Sequence, residues 1–173
     1  MRTDIDIRPL DPDDPTDDLR EMLARASQAD GGPDVAPSHD TLAAIARAEG
    51  SGVYVAEYSM TVIGCVVVQM PVPRPAKGEP PAWFKRPGVA VFSQLAVEPE
   101  IRGTGVGESL IAHAEHEAAR LGAEELACAV PARANRLRTT LAERGYRPVD
   151  HAKRGDSSFV IVSKTIDANA AAA

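Results

Sequence analysis

Three glycines at alternate positions, Gly103, Gly105 and Gly107, follow Arg102 within the segment EPEIRGTGVGESL, residues 98–110. Glycine loses more backbone entropy on folding than other residues, so a glycine cluster is typical of backbone that bends sharply or closely approaches a ligand. The residues before the cluster predict a strand and those after it predict a helix. Such a turn into a helix is typical of an anion site, because the first N–H groups of a helix are unpaired and lie at the positive end of its dipole.

Three phosphate-binding patterns can be compared with this segment. A P-loop requires G-x-x-x-x-G-K-[ST], and no lysine follows the glycines here. A dinucleotide fingerprint requires G-x-G-x-x-G in the first βαβ unit, whereas this segment reads G-x-G-x-G and lies late in the chain. The third pattern, Arg/Gln-x-x-Gly-x-Gly/Ala, fits from Arg102 to Gly107 at every defined position. The third pattern is therefore favoured.

The composition is that of an ordinary globular protein, with 44% hydrophobic and 25% charged residues in a chain of 173. The net charge of −6 argues against a nucleic-acid partner. No apolar run reaches the length of a membrane span, and MRTDIDIRPL has no signal-peptide core, so we expect no membrane association and a cytoplasmic location.

Cys65 and Cys128 lie in apolar runs without ligand spacing and are interpreted as core thiols.

Hydrophobic periodicity predicts the element order β-α-α-β-β-β-α-β-α-β-β. Thr16 or Asp17 is expected to cap the first helix, and Ser38 or Asp40 the second. In the helix after the glycines, one face is predicted to be apolar, and the other is predicted to be polar and to carry His113, His116, Glu117 and Arg120. The spacing of HAEHE is that of no zinc motif, so no metal site is expected.

Residues 71–88 contain six prolines and are predicted to be a long, stiff loop between two strands. The loop carries Trp83 and Phe84, which are predicted to bind substrate. Exposed aromatic residues in a loop often cover a pocket or a partner, so the loop is expected to border either the acceptor site or a dimer interface. The alternative is that Trp83 packs on the core of its own domain.

The segments LAVEPEIRGTGVGESLIAHAEHEAARLGAEEL and ARANRLRTTLAERGYRPV, together with the element order, resemble the GNAT superfamily of acyl-CoA-dependent N-acyltransferases. The resemblance extends over about residues 3–166. It implies an α/β (α+β) fold in which about four helices flank a mixed, mostly antiparallel sheet of about seven strands, splayed in the middle for acyl-CoA. We expect a single domain over 1–167, followed by a disordered or appended tail at 168–173.

The resemblance also implies which residues bind acetyl-CoA. The backbone of the glycine loop would bind the pyrophosphate, and the edge of the preceding strand would bind the pantetheine arm. Asn135, at the start of a later helix, lies within one residue of the family's cofactor asparagine, although a helix cap explains it equally well. The predicted cofactor-binding residues are Leu95, Ala96, Val97, Arg102, Gly103, Thr104, Gly105, Val106, Gly107 and Asn135.

The chemistry of amine acetylation requires a neutral amine, and taking an ammonium of pKa ~10.4 to its neutral form at pH 7 costs about 4.6 kcal/mol. Glu57 on a neighbouring strand is a candidate base through water, and Gln94 is a further catalytic candidate, although it is no strong base. An N–H near Leu95 is suited to stabilise the developing oxyanion.

Many family members protonate the leaving thiolate with a tyrosine of the later helix. At that position this chain has Leu141 or Ala142. Tyr146 is therefore the remaining candidate for the acid, at a position where the family usually has an aromatic core residue.

The sequence thus predicts an N-acetyltransferase that transfers the acetyl group of acetyl-CoA, as co-substrate, to a primary amine on a small molecule or peptide by direct attack in a ternary complex. The alternative is a catalytically weak acyl-CoA-binding sensor or complex subunit, which the missing helix tyrosine favours. A homodimer is compatible with either function.

Overall fold

The computed structural model describes residues 4–31, 36–70 and 80–167. Its strands and helices follow the predicted order, which is therefore confirmed. They are β1 (Asp6–Pro9), α1 (Asp17–Ala29), α2 (His39–Arg47), β2 (Ser51–Tyr58), β3 (Thr61–Gln69), β4 (Val89–Val97), α3 (Val106–Arg120), β5 (Glu125–Pro131), α4 (Asn135–Glu143), β6 (Arg147–Arg154) and β7 (Ser157–Thr165). The predicted tail at 168–173 and the proline-rich residues 71–79 lie outside the described residues.

The seven strands form a mixed sheet in the order β1-β2-β3-β4-β5-β7-β6. β1 and β2 are antiparallel, β4 and β5 are parallel, and β7 is antiparallel to both β5 and β6. Together with four α-helices, this is the α/β architecture expected from the sequence. None of the described helices is long and apolar enough to cross a lipid bilayer.

The chain forms two compact units, each assembled from two segments. The described parts of the first unit lie within Met1–Val68 and Gln94–Ala114. Its core is formed where the apolar faces of α1 and α2 pack on alternate residues of β2 and β3, with Leu19, Met22, Leu42, Val53, Val55, Cys65 and Val67 buried at the centre.

The described parts of the second unit lie within Gln69–Ser93 and Glu115–Ala173. One cluster of its core brings together Phe84, Val89, Val91, Ala127 and Ile161, and Trp83 packs against this cluster. The described residues up to 167 are divided between the two units, and the interpretation of 1–167 as a single domain stays a prediction.

The two N-terminal helices begin at the predicted residues. Ser38 caps α2, and its hydroxyl oxygen accepts a hydrogen bond from the Thr41 N–H at 3.1 Å. Thr16 is the N-cap residue of α1, but its side chain does not cap the helix. Its buried hydroxyl instead lies 2.9 Å from Nδ1 of His39 at the start of α2, so Thr16 joins the two helix starts.

The polar face predicted for α3 is wrong for two of its residues. Glu117 is buried, with 9% of its surface exposed, and its carboxylate accepts a hydrogen bond from Arg120 at 2.8 Å. His113 is half-buried, and its ring meets the ring of Tyr54 edge-on at a centroid distance of 4.5 Å. The hydrogen bond from Arg120 accounts for the burial of Glu117, and ring packing accounts for that of His113. His116 and Arg120 are exposed, as expected.

The hairpin between β2 and β3 turns at two residues with left-handed backbone, Ser59 (φ 49°) and Met60 (φ 67°). Two consecutive positive φ values are typical of a type I′ turn, which asparagine and glycine favour. A residue with a Cβ is strained in this region. Met60 is 94% exposed, so no packing compensates for the strain.

We expect the double substitution Ser59→Asn with Met60→Gly to stabilise the chain by about 1 kcal/mol, because it removes strain and exposed apolar surface from the turn. The measurement is the midpoint of chemical unfolding. The reverse test replaces both residues with alanine, which should bring no such gain. A double variant that is less stable than the wild-type chain would contradict the assignment of the turn.

Candidate functional site

The fourth strand changes conformation at Gln94, which adopts φ 51° within β4. A non-glycine residue with positive φ in a strand is uncommon and re-aims the backbone groups around it. The parallel pairing joins residues 89–91 of β4 to residues 125–127 of β5, and Leu95, Ala96 and Val97 lie beyond that pairing. The Gln94 side chain is exposed. The feature that distinguishes Gln94 is therefore its backbone, which changes the direction of the neighbouring peptide groups.

The glycine loop follows β4 and leads directly into α3. Gly103 (φ 83°) and Gly105 (φ 94°) both have left-handed backbone that L side chains rarely adopt. Among the described residues, a Cβ at either position would meet no atom within 4 Å. The glycines therefore leave open space on the surface of the loop, as a cradle for a phosphate requires.

The same loop presents a run of hydrogen-bond donors. Within the described part of the chain, the backbone N–H groups of residues 103–108 donate to no protein acceptor, and the first intrahelical bond of α3 runs from Ser109 N to Gly105 O at 3.0 Å. Consecutive N–H groups in a turn before a helix form an anion-binding nest. The donor set thus matches the chemistry of a pyrophosphate, which offers only acceptor oxygens.

Tight packing fixes the first turn of α3. Val106 and Leu110 are buried, and they face Gly64 of β3. A Cβ at Gly64 would lie 2.8 Å from Leu110 Cδ1, 3.1 Å from the Ala96 carbonyl oxygen and 3.2 Å from Val106 Cγ1. The sequence did not indicate a role for Gly64, because the residues around a glycine in a strand do not show which helix packs against it. Gly64 allows the helix start to approach the strand.

The other loop side chains bind within the protein. The Thr104 hydroxyl donates to the Ile101 carbonyl at 2.6 Å and closes a turn that contains Gly103. The Arg102 guanidinium donates to both carboxylate oxygens of Asp30, at 2.6 and 3.3 Å, and to the Ala26 carbonyl at 3.2 Å. The side chain of Arg102 is thus directed at the end of α1, and its predicted role in cofactor binding stays a prediction.

Asn135 is the first residue of α4, and its side chain is exposed. The N-cap residue of α4 is Ala134, and no side chain caps the helix. The alternative interpretation of Asn135 as a helix cap is therefore wrong. Its predicted contact with the cofactor stays a prediction.

Glu57, the candidate base, lies on β2 and is half-buried. Its Oε1 atom accepts a hydrogen bond from Arg8 Nη2 at 2.7 Å, and this bond raises the pKa of the arginine. The register places Asp6 opposite Glu57, so Arg8 reaches it diagonally across the β1–β2 pair. An ion pair between strands explains Glu57 without catalysis, and its role as a base stays a prediction.

Tyr146, the candidate acid, is 2% exposed, and its hydroxyl donates to Oε1 of Glu115 at 3.1 Å. Burial and the neighbouring Glu115 carboxylate raise the pKa of Tyr146 far above its usual value. Its ring also packs edge-on against Phe92, at a centroid distance of 6.1 Å. These contacts are those of a core residue, and they favour a structural role for Tyr146 over that of an acid.

The aromatic residues of the long loop have partners in their own unit. The Trp83 indole N–H donates to Glu125 Oε2 at 3.0 Å, and the Arg86 guanidinium lies over the indole ring at 3.8 Å. Phe84 is 9% exposed, and Pro81 and Phe84 are among the residues that line a pocket of about 330 Å³. The packing of Trp83 agrees with the core alternative for this residue, and substrate binding by Trp83 and Phe84 stays a prediction.

The two cysteines, Cys65 and Cys128, are both buried and unbridged. Burial raises the pKa of each thiol to about 12, so both are protonated at neutral pH. They are core residues, as the sequence predicted. Within the described residues, no three side chains that could ligate a metal ion lie together.

The profile of the acetyltransferase (GNAT) family matches residues 16–146, which include the glycine loop and most of both units. Among solved structures, a GNAT-family acetyltransferase from Streptococcus pneumoniae is similar with a TM-score of 0.72 and 16% identity, over 95% of this chain and 100% of that one.

Two further structures share the fold. The PaiA N-acetyltransferase from Thermoplasma acidophilum, in complex with coenzyme A, has a TM-score of 0.69 and 18% identity over 93% of this chain and 98% of its own. The ribosomal-protein-S18-alanine N-acetyltransferase from Escherichia coli has a TM-score of 0.67 and 16% identity over 94% of each chain. No curated protein matches the sequence significantly. Because the family profile covers well over half of the 173 residues, the chain belongs to the GNAT family of acetyltransferases.

Proposed function

We propose that the chain transfers the acetyl group of acetyl-CoA to a primary amine. The observation that carries this proposal is the nest formed by the N–H groups of residues 103–108, in which two glycines leave space for a ligand. This nest lies within the range that the GNAT profile matches. Acetyl-CoA supplies an activated acetyl thioester, and its pyrophosphate is the part that suits a nest of backbone donors.

The residues of this chain bind and orient the co-substrate. The N–H groups of the glycine loop would hold the pyrophosphate, and the positive end of the α3 dipole adds to the attraction. Leu95, Ala96 and Val97 offer strand backbone that would bond the pantetheine amides. The positive φ of Gln94 re-aims the peptide groups next to Leu95, and a backbone N–H there would stabilise negative charge that develops on the acetyl oxygen.

The acetyl group passes directly to the amine in this proposal. Transfer through an enzyme thioester would need a reactive thiolate, and the only two cysteines of the chain are buried with pKa values near 12. Attack by the bound amine in a ternary complex is therefore the favoured route, in which the C–N bond forms, the thioester C–S bond breaks, and the coenzyme A thiolate leaves and takes a proton from water. The attacking amine must be neutral, so a water or Glu57 would take its proton at or before this step.

The acceptor in this proposal is an amine-bearing small molecule or peptide. The Escherichia coli relative is an alanine N-acetyltransferase of ribosomal protein S18, which supports an amino group as the acceptor class. Trp83 and Phe84 remain the proposed acceptor-side residues. The cytoplasmic location and the homodimer remain predictions as well.

The experiment is a thiol-release assay with acetyl-CoA and a panel of amines that includes polyamines, aminoglycosides, amino acids and peptides with a free N-terminus. We expect amine-dependent release of coenzyme A with at least one class. Mass spectrometry of the acceptor should show the gain of one acetyl group. Binding of coenzyme A without release in any arm of the panel would overturn the enzymatic proposal.

The second candidate function, a catalytically weak acyl-CoA-binding module, is supported by a specific observation. The two side chains proposed for proton transfer both have structural partners, since Glu57 is bound by Arg8 and Tyr146 is bound to Glu115. In that case coenzyme A would bind with the affinity of an enzyme, but the rate with every amine would stay near the uncatalysed rate.

A further inference from the structure

Carboxylates next to an anion site need an explanation, because their charge opposes the binding of a phosphate. Glu98 begins the loop that precedes the glycines, and Asp30 directly follows the last residue of α1. The structure accounts for both of them. Each carboxylate receives two hydrogen bonds from one arginine, which neutralises its charge at the site.

The two arginine–carboxylate pairs run in opposite directions between the same two elements. Arg25 of α1 donates from Nε and Nη2 to Glu98 of the loop, at 3.1 and 2.9 Å. Arg102 of the loop donates to Asp30 at the end of α1, at 2.6 and 3.3 Å. Bidentate pairs of this kind fix orientation as well as distance. We call the four residues Arg25, Glu98, Arg102 and Asp30 the α1 clamp.

Arg102 has further contacts, one with α1 and one with the end of β4. Its Nη2 donates to the Ala26 carbonyl at 3.2 Å, and its Nε lies 3.5 Å from the Val97 carbonyl oxygen, so all three guanidinium nitrogens are directed at protein acceptors. The last turn of α1 contains no basic residue of its own. Arg102 supplies the cation that favours the negative end of the helix dipole.

The start of the loop is also held by the backbone. The Glu98 N–H donates to the Ile63 carbonyl of β3 at 2.9 Å, and the Ile101 N–H donates to the Glu98 carbonyl at 3.0 Å. The clamp therefore lies between a fixed strand end and the glycines that have open space around them. The clamp residues thus connect α1 to the segment directly before the glycines.

We propose that the α1 clamp holds the glycine loop in its cofactor-binding shape, and that Arg102 and Asp30 are positioning residues for acetyl-CoA through this ion pair. The inference rests on the proposed function, in that it takes the loop to be the pyrophosphate site. It assigns to Arg102 a role different from that of a phosphate ligand.

The two roles of Arg102 predict opposite effects at Asp30. If Arg102 binds phosphate, Asp30 competes for it, and Asp30→Asn leaves coenzyme A affinity unchanged or increases it. Removal of a negative charge near an anion site also favours tighter binding of coenzyme A. If the clamp positions the loop, Asp30→Asn weakens coenzyme A binding about fivefold in spite of the more favourable charge. Arg102→Ala weakens binding in both cases and does not discriminate.

The experiment measures coenzyme A affinity by calorimetry for the wild-type chain, Asp30→Asn, Asp30→Glu and Asp13→Asn. Asp13→Asn is the matched control, because it removes the same charge from an exposed pair with Arg47, whose atoms lie 3.1 Å apart. We expect weaker binding only for Asp30→Asn, and near wild-type affinity for Asp30→Glu, which keeps the carboxylate. Unchanged or tighter binding by Asp30→Asn would overturn the clamp and leave the proposed function standing.

Two further measurements separate positioning from general loss of stability. In steady-state assays, Asp30→Asn should raise KM for acetyl-CoA while KM for the amine and kcat stay near the wild-type values. Hydrogen exchange of the unliganded chain should become faster at residues 98–108 in Asp30→Asn but not in Asp13→Asn. Equal exchange in the two variants would refute the clamp. A wild-type chain that does not bind coenzyme A would overturn the proposed function and, with it, this inference.

Discussion

Replacement of Gly105 by valine should abolish the thermal stabilisation that acetyl-CoA gives to the wild-type chain. A ligand at 100 times its dissociation constant stabilises a folded protein by about 2.7 kcal/mol. At Gly105 the backbone has φ 94°, and the space beyond the missing Cβ is open among the described residues. A β-branched side chain would occupy that space and turn the loop away from the left-handed conformation, so the N–H groups of the nest would no longer converge.

Gly155→Val is the matched control for this prediction. Gly155 (φ 61°) is also left-handed, and its missing Cβ also faces open space, but it belongs to the turn between β6 and β7. Both variants should lose stability from backbone strain, and only Gly105→Val should lose the response to acetyl-CoA. A folded Gly105→Val variant with the full thermal shift would show that the loop does not bind the pyrophosphate.

The parts of the site that the sequence predicted are local ones. A strand, three alternating glycines and a helix are contiguous in the chain, so their spacing alone predicts the turn and its unpaired donors. The structure has positive φ at two of the glycines, Gly103 and Gly105, and the N–H groups of residues 103–108 donate to no acceptor among the described residues, as this local pattern predicts.

The roles of charged side chains were predicted less well, because their partners lie far away in the sequence. Arg102 and Asp30 are separated by 72 residues, and no periodicity links them. The pattern predicted Arg102 to bind the cofactor, whereas its guanidinium bonds to the end of α1. In the same way, the sequence suggested a solvated carboxylate or a base at Glu57, and it did not show the diagonal ion pair with Arg8, which is 49 residues away in the chain.

Helix faces were predicted from polarity, and this failed where a polar residue is buried in an ion pair. Glu117 and Glu115 both lie on α3, and each has a carboxylate bonded to a cation. The sequence shows the helical period of apolar residues, but it does not show which glutamates will be covered. Glu115 was not singled out at all, although its carboxylate accepts hydrogen bonds from three side chains.

Glu115 accepts hydrogen bonds from three side chains. Arg144 donates at 2.6 Å, Lys164 at 3.1 Å and the Tyr146 hydroxyl at 3.1 Å. The carboxylate is only 16% exposed, and the two cations are 29% and 30% exposed. Burial alone would raise the pKa of Glu115, but the hydrogen bonds from Arg144 and Lys164 lower it below its usual value.

We expect Glu115→Gln to destabilise the chain by about 2–3 kcal/mol, because it leaves two partly buried cations without their counter-charge. For a chain of this size, this corresponds to a melting temperature lower by about 5–10 °C. The control is Glu143→Gln on α4, an exposed residue at which the same change should cost less than about 0.5 kcal/mol. Equal stability of the two variants would show that the Glu115 cluster is energetically unimportant.

The pH dependence gives a second test of the same cluster. A carboxyl group whose pKa is lower in the folded state than in the unfolded state contributes stability above the unfolded pKa of about 4.3, and this contribution is lost as pH falls through the folded pKa. The wild-type chain should therefore exceed Glu115→Gln in stability by a constant amount between about pH 5 and 8. The difference should shrink as the pH falls below about 4, because the wild-type carboxylate becomes protonated and resembles the amide. Urea unfolding of both chains from pH 3 to 8 measures this difference, and a gap that persists undiminished at pH 3 would mean that packing, and not charge, accounts for the loss.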